Sequence, residues 1–222
     1  MDNHFEMGLD ALRQKLLTMA SHAETNVNQS LQALIQRDYQ LALRVKADDQ
    51  VLDQLEVEID ELVIQLLTKA PLASNLRLVT VAMKIAQNLE RIGDEASKIA
   101  KRAGELAQEP PLKIHVDLTR LARLALEMLK VALDAFVHRD SAAARAVIPR
   151  DREVDALNKE IHRLLVQHMA ENPQAIARCL SFMVVSKSLE RIADHATNVA
   201  EDVVYLCEAQ DIRHTGAKGP VV

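Results

Sequence analysis

Eight carboxylates carry the most chemistry in this sequence. They form four i, i+4 pairs, Asp49/Asp53, Glu90/Asp94, Asp151/Asp155 and Glu190/Asp194, and that spacing puts both members of a pair on one face of a helix. Like charges so placed cost roughly a few tenths of a kcal/mol per pair, so something must offset the cost. Carboxylate oxygens suit hard cations, and the eight residues are candidate ligands for a divalent or trivalent ion: Mg, Mn, Fe, Ca or Zn. Asn198 and Asp202 continue the last series and are additional candidates. The alternative is a set of solvated acids balanced by Arg91, Arg191 and nearby lysines.

The heights of the pairs follow from the sequence, because two residues of an antiparallel hairpin are level when their mean position is the turn. Centres at 51 and 92 average to 71.5, beside Pro71; centres at 153 and 192 average to 172.5, beside Pro173. Each half of the chain therefore sets two acidic pairs level on adjacent helices, about 30 Å from the turn. The halves differ along the ridge. One reads Glu90, Asp94, Lys98, Arg102, which can neutralise itself through i, i+4 pairs; the other reads Glu190, Asp194, Asn198, Asp202 and keeps oxygen donors throughout. The second half is expected to hold metal more firmly.

Catalytic parts are missing. No Glu has His at i+3, as helical di-iron sites require; there is no HExxH, GxSxG or phosphate-cradling glycine loop, and the eight His include no i, i+4 pair. His195, next to Asp194, points about 100° from the acidic ridge and reads as an exposed or rim residue. A non-enzymatic protein is expected.

The elements that position the acids belong to an internal repeat. The run Asn88 to Ala100 matches Ser188 to Ala200 at an offset of 100, and Arg37-Asp38, Asp49, Asp53 and Glu58-Ile59 recur 102 positions later. Apolar residues spaced by threes and fours, such as Leu52, Leu55, Ile59, Leu62, Leu66 and Ile85, Leu89, Ile92, Ala96, Ile99, mark the core seams of bundle helices. The same spacing in the second half reaches His168, read as a bundle-end residue. Asp38 and Asp140 are helix caps, Pro71 and Pro173 mark hairpin turns, and Pro110-Pro111 separates the halves. The pattern predicts an all-α fold of two similar antiparallel three-helix bundles, residues 1–109 and 112–209, with a mobile tail over 210–222. Six helices are expected at 4–37, 39–69, 74–107, 114–138, 141–171 and 174–209, the fifth kinked or briefly broken at Pro149.

Composition agrees and excludes other classes. Five Gly, six Pro and 2% aromatic residues leave a chain dominated by helix formers. No apolar run reaches the roughly 18 to 20 residues of a membrane span, and no export signal is visible, so cytoplasmic residence is expected. Cys179 and Cys207, about 42 Å apart on one helix, are expected to be free thiols. A net charge of −5 without a basic run gives no footprint for nucleic acid.

At Leu89-Glu90-Arg91-Ile92-Gly93-Asp94 and Leu189-Glu190-Arg191-Ile192-Ala193-Asp194 the chain resembles the PhoU family of phosphate-transport accessory proteins. The likeness extends through Ser74-Asn75-Leu76-Arg77-Leu78-Val79, Leu133-Asp134-Ala135-Phe136 and Gln210-Asp211-Ile212-Arg213-His214 and covers nearly the whole chain. It departs mildly at Ala193, where the first copy has Gly93. The resemblance implies two pseudo-symmetric bundles whose acidic motifs, at the eight carboxylates named above, bind metal clusters in some members. It further implies a negative regulator of the phosphate-starvation response. Such a regulator links the phosphate ABC transporter, through its ATPase PstB, to the sensor histidine kinase PhoR, through the PAS domain. A homodimer, associated with the membrane only through these partners, is expected. Competing readings are a metal-binding or metal-storage protein and a metal-dependent phosphohydrolase.

Overall fold

The computed structural model describes residues 3–68 and 73–213. The described residues contain no strand and form α1 (Asn3–Gln36), α2 (Tyr39–Leu67), α3 (Ala73–Ala107), α4 (Leu118–His138), α5 (Ser141–Val147), α6 (Asp151–Glu171) and α7 (Ile176–Glu208). Short 3₁₀ turns over Ile148–Arg150 and Pro173–Ala175 precede α6 and α7. The expected fifth helix is thus α5 and α6, broken at Pro149, whose ring cannot continue a helix. The turn expected at Pro71 and the tail from His214 onward lie outside the described residues.

Asp38 and Asp140 cap α2 and α5, accepting hydrogen bonds from the Leu41 and Ala143 amides at 2.9 and 3.0 Å. Arg37 and Arg139 before them turn the chain through left-handed backbone, at φ 56° and 53°. The fourth helix starts at Leu118 and not at 114, because the Asp117 side chain accepts from the Arg120 amide and sets the cap there.

Three helices bundle in each half, α1, α2 and α3 in the first and α4, the α5/α6 rod and α7 in the second, and α3 packs on α7 between them. Leu52, Ile59, Ile85, Leu89, Ile92 and Ile99 are buried, as their spacing predicts, with Val154, Ile161, Val185, Leu189, Ile192 and Val199 in the second half. Along the α3/α7 seam Lys84 meets Asp202, Asn88 meets His195, and Glu95 meets Arg191. Numbers rise on one helix as they fall on the other, so the two run antiparallel. A rotation that exchanges antiparallel neighbours has its two-fold axis perpendicular to both, and such an axis returns each face to itself. The furrow between α2 and α3 and the furrow between α6 and α7 therefore open on the same face of the molecule.

Gly93 shows how the copies compensate one another's packing. A methyl at Gly93 would collide with Leu52 Cδ1, whereas the second copy pairs the larger Ala193 with the smaller Val154, both fully buried. Gly93→Ala is expected to lower stability by about 1 kcal/mol, overpacking outweighing the gain in helix propensity. Leu52→Val in the same chain should recover most of that loss in denaturant titrations. A double variant no more stable than Gly93→Ala would contradict this account.

Candidate functional site

The first furrow brings its four expected acids into one electrostatic neighbourhood. Asp49, half-buried beside Gly93, has its carboxyl pushed up by burial and by the charges of Asp53 and Asp94, against a hydrogen bond with Ser97. Burial likewise raises Glu90, and Asp94, Glu56 and Asp53 add to the effect. Arg91 braces the cluster, its guanidinium 3.3 Å from Glu90 and 3.1 Å from Asp94. Glu56 and Asp60 belong to the same furrow and were not among the expected residues. Burial and Asp60 raise Glu56, and Asp60 Oδ1 is buried with no hydrogen-bond partner. Alternating steps of four and three, from Asp49 through Asp53 and Glu56 to Asp60, keep them on one face, a signal the i, i+4 pairs alone do not carry.

In the second furrow the Pro149 break makes Asp151 the first residue of α6. Asp151 is raised by burial and by Asp155 and Glu190, and its Oδ1 is buried without a partner. Asp194 is pushed up to about 6, first by burial of its carboxyl and then by Asp151 and Glu190, with Asp155 adding to them. Lys187 pairs with Glu190. Arg191 does not brace this cluster as Arg91 braces the first; it reaches across the seam to Glu95 at 3.2 Å.

Four expectations about the flanking residues are corrected. Lys98 pairs with Glu95 at 2.9 Å, and Arg102 with Glu105 at 2.7 Å, so neither neutralises Asp94 or Glu90 by direct contact. Asp202 is buried in the seam, 3.1 Å from Lys84. Asn198 donates to Asn88 at 3.3 Å, so it too turns to the seam and away from the acids. His195 is a seam residue as well, half-buried with Nδ1 3.0 Å from Asn88 Oδ1, and burial lowers its pKa. Cys179 and Cys207 are free thiols, and His168 stands in the last turn of α6 beside Asn172.

As the side chains are oriented, no three Asp, Glu, His or Cys among the described residues stand close enough to hold a metal ion. Glu90 and Asp94 are turned to Arg91, and Glu190 to Lys187. The donor set nevertheless fits a hard cation: all eight candidates offer carboxylate oxygen, and the unpartnered Asp151 Oδ1 lacks a counter-group that an ion would supply.

Because its folded pKa, about 6, exceeds its ordinary value of 3.8, ionised Asp194 destabilises the metal-free fold. The penalty is complete above about pH 6, fades as pH falls toward 4, and is absent below. Protein crowds the Asp194 carboxyl on one side while the residue as a whole stays open to solvent, so screening reduces the effect to about 1 kcal/mol. Asp194→Asn should stabilise chelator-treated protein by that amount in urea titrations at pH 7.5 and leave it unchanged at pH 4. Equal changes at the two pH values would refute this.

Comparisons with known proteins agree with this architecture. The PhoU domain family model matches residues 16–103 and again 118–203, once in each half. The chain is 40% identical over 218 residues to the phosphate-specific transport system accessory protein PhoU homolog of Pseudomonas aeruginosa, covering 97% of this chain and 90% of that protein. It is 34% identical over 217 residues to the PhoU accessory protein of Escherichia coli K12, with 97% and 90% covered. The crystal structure of PhoU from Pseudomonas aeruginosa superposes with a TM-score of 0.89 at 40% identity, over 93% of this chain and 100% of that one. The phosphate transport system regulatory protein PhoU from Streptococcus pneumoniae does so with 0.88 at 26%, over 94% and 99%. Two copies of the matched domain, each built around an acidic furrow, span nearly all of the sequence, and the chain belongs to the PhoU family.

Proposed function

We propose that this protein is an accessory protein of phosphate-specific transport that keeps the phosphate-starvation response off when phosphate is plentiful. It acts as an adaptor between the transporter's ATPase PstB and the PAS domain of the sensor kinase PhoR. The observation that carries the reading is the match over both halves to proteins named for that accessory role. Two further features are consistent with a binding role: no described helix is long and apolar enough to cross a membrane, and the sequence contains no HExxH, GxSxG or phosphate-cradling glycine loop. A clean deletion should leave a phosphate-regulon reporter fully expressed in phosphate-rich medium. Normal repression in that strain would overturn the reading, and so would phosphate-ester turnover by metal-loaded protein that Glu190→Gln abolishes.

The acidic furrows support an ion-holding role within the adaptor. The residues that would hold cations are Asp49, Asp53, Glu90 and Asp94 in one furrow and Asp151, Asp155, Glu190 and Asp194 in the other. A bound cation would cancel the repulsion among them and fix the face they share. The second furrow is the stronger of the two, because Arg91 occupies the first while Arg191 is drawn off to Glu95. Titration with Mn²⁺ followed by calorimetry should therefore show a larger loss for Glu190→Gln/Asp194→Asn than for Glu90→Gln/Asp94→Asn. Equal losses would remove the asymmetry.

A further inference from the structure

Beyond each acidic stretch, toward the hairpin tip, the furrow turns apolar and stays exposed. On α2 the acidic side continues from Asp60 to Ile64, 64% exposed, and Leu67; on α3 it continues backward to Leu76, exposed as well. On α6 the equivalent side continues to Val166, 56% exposed, and on α7 to Leu180, 51% exposed, and Ile176. The hairpin register sets these side chains at nearly the same height. Asn158 takes a hydrogen bond from Ser186, and Gly93 lies against Leu52; carried toward the tips, the same pairing puts Val166 within about 3 Å of the height of Leu180, and Leu67 within about 3 Å of that of Leu76.

Single exposed apolar residues are ordinary on protein surfaces. Here the same character recurs at equivalent positions of both copies: Ile64 with Val166 at an offset of 102, Leu76 with Ile176 at 100. Partly buried methionines widen each patch, Met83 in the first, Met169 and Met183 in the second, and methionine adapts to an incoming surface. Each furrow thus offers an apolar end and an acidic middle, and the internal two-fold sets the two furrows antiparallel on one face.

We propose that this face is a docking surface for two cationic amphipathic helices of a protein partner, one in each furrow. Each helix buries an apolar stripe against the hairpin tip, and its Lys or Arg residues meet the carboxylates further along, from about one turn beyond Ile64 in the first furrow and about three turns beyond Val166 in the second. Helix-in-groove recognition supplies the apolar anchors, and charge complementarity sets the direction in which the helix lies. The surface goes beyond the phosphate-signalling reading and does not depend on it, since capture of a helix is read without any reporter of phosphate response.

The test uses the full chain treated with chelator, so that no cation screens the acids, and a synthetic helical peptide of about 18 residues, long enough to span about 27 Å. The peptide carries leucines on one face at its first two turns and lysines on that face beyond; a control peptide has glutamate in place of lysine. Calorimetry is expected to show two lysine peptides per chain, weakened about tenfold or more by raised salt, and no binding of the glutamate peptide. Ile64→Ser/Leu76→Ser and Val166→Ser/Leu180→Ser should each reduce the stoichiometry to one, with helical circular dichroism unchanged. Ile64→Lys, which sets a like charge before the peptide, gives the same reading should a serine variant lose its fold. Ile35→Ser, in the separate apolar groove of about 520 Å³ between α1 and α4, should change nothing. Equal binding of the two peptides, two sites remaining in both double variants, or loss of binding with Ile35→Ser would overturn the proposal. So would a self-association, or a binding to phosphatidylcholine vesicles, that the same double variants abolish while the lysine peptide fails to bind.

Discussion

The antiparallel packing of α3 on α7 is the constraint from which the rest of the molecule follows. Each of these helices is covered by its own bundle on one flank and by the other bundle on the opposite flank, which is why Ile85, Leu89, Val185 and Leu189 are entirely buried. At the centre of the seam stands Glu95, only 4% exposed. Burial alone would raise its pKa, but hydrogen bonds from Lys98, Ser188 and Arg191 outweigh that and hold it below the usual range. A buried carboxylate with several donors is tolerated, whereas the same carboxylate stripped of one donor would be costly. Arg191 is thereby committed to the seam.

That commitment breaks the symmetry of the two acidic furrows. The position equivalent to Glu95 in the second copy is His195, which offers Arg91 no carboxylate. Arg91 therefore stays on its own ridge, between Glu90 and Asp94. One substitution in the repeat, glutamate in one copy against histidine in the other, leaves the first furrow braced by a guanidinium and the second without one. A difference that reads in sequence as one of local charge pairs, Lys98 and Arg102 against Asn198 and Asp202, is in the folded chain a difference in which arginine crosses the seam.

Much of this architecture is legible in the sequence, because the signals are strong and local. Offsets of 100 and 102 reveal the repeat, Asp38 and Asp140 mark caps, Pro149 breaks the fifth rod, and the hairpin arithmetic sets the acids level. The misplacing of Asn198 and Asp202 has a geometric origin. A step of four residues advances a helix by about 400°, so each step drifts about 40° around the axis. Over Glu190, Asp194, Asn198 and Asp202 the drift reaches about 120°, which carries the last two residues out of the furrow and into the seam, where Asn88 and Lys84 take them. Glu56 and Asp60 were missed for the converse reason: a series that alternates four and three stays on its face, and the acidic side of α2 runs further than its i, i+4 pair.

The same geometry explains why carboxylates that repel one another can persist without unfolding the chain. The buried ridges of α2 and α6, Leu52 and Ile59 with Val154 and Ile161, lie about 60 to 80° around the helix from Asp49 and Asp151, so the acids rim the core without occupying it. Their repulsion is of the order of tenths of a kcal/mol per pair, against several kcal/mol for burial of the apolar ridge beside them. A helix can carry such a face as long as its buried side is fully engaged, and the two central helices are engaged twice over. The rigid element is thus the one that bears half of each acidic set, Glu90 and Asp94 on α3 and Glu190 and Asp194 on α7. Its partners α2 and α6, each packed within one bundle alone, complete the furrows.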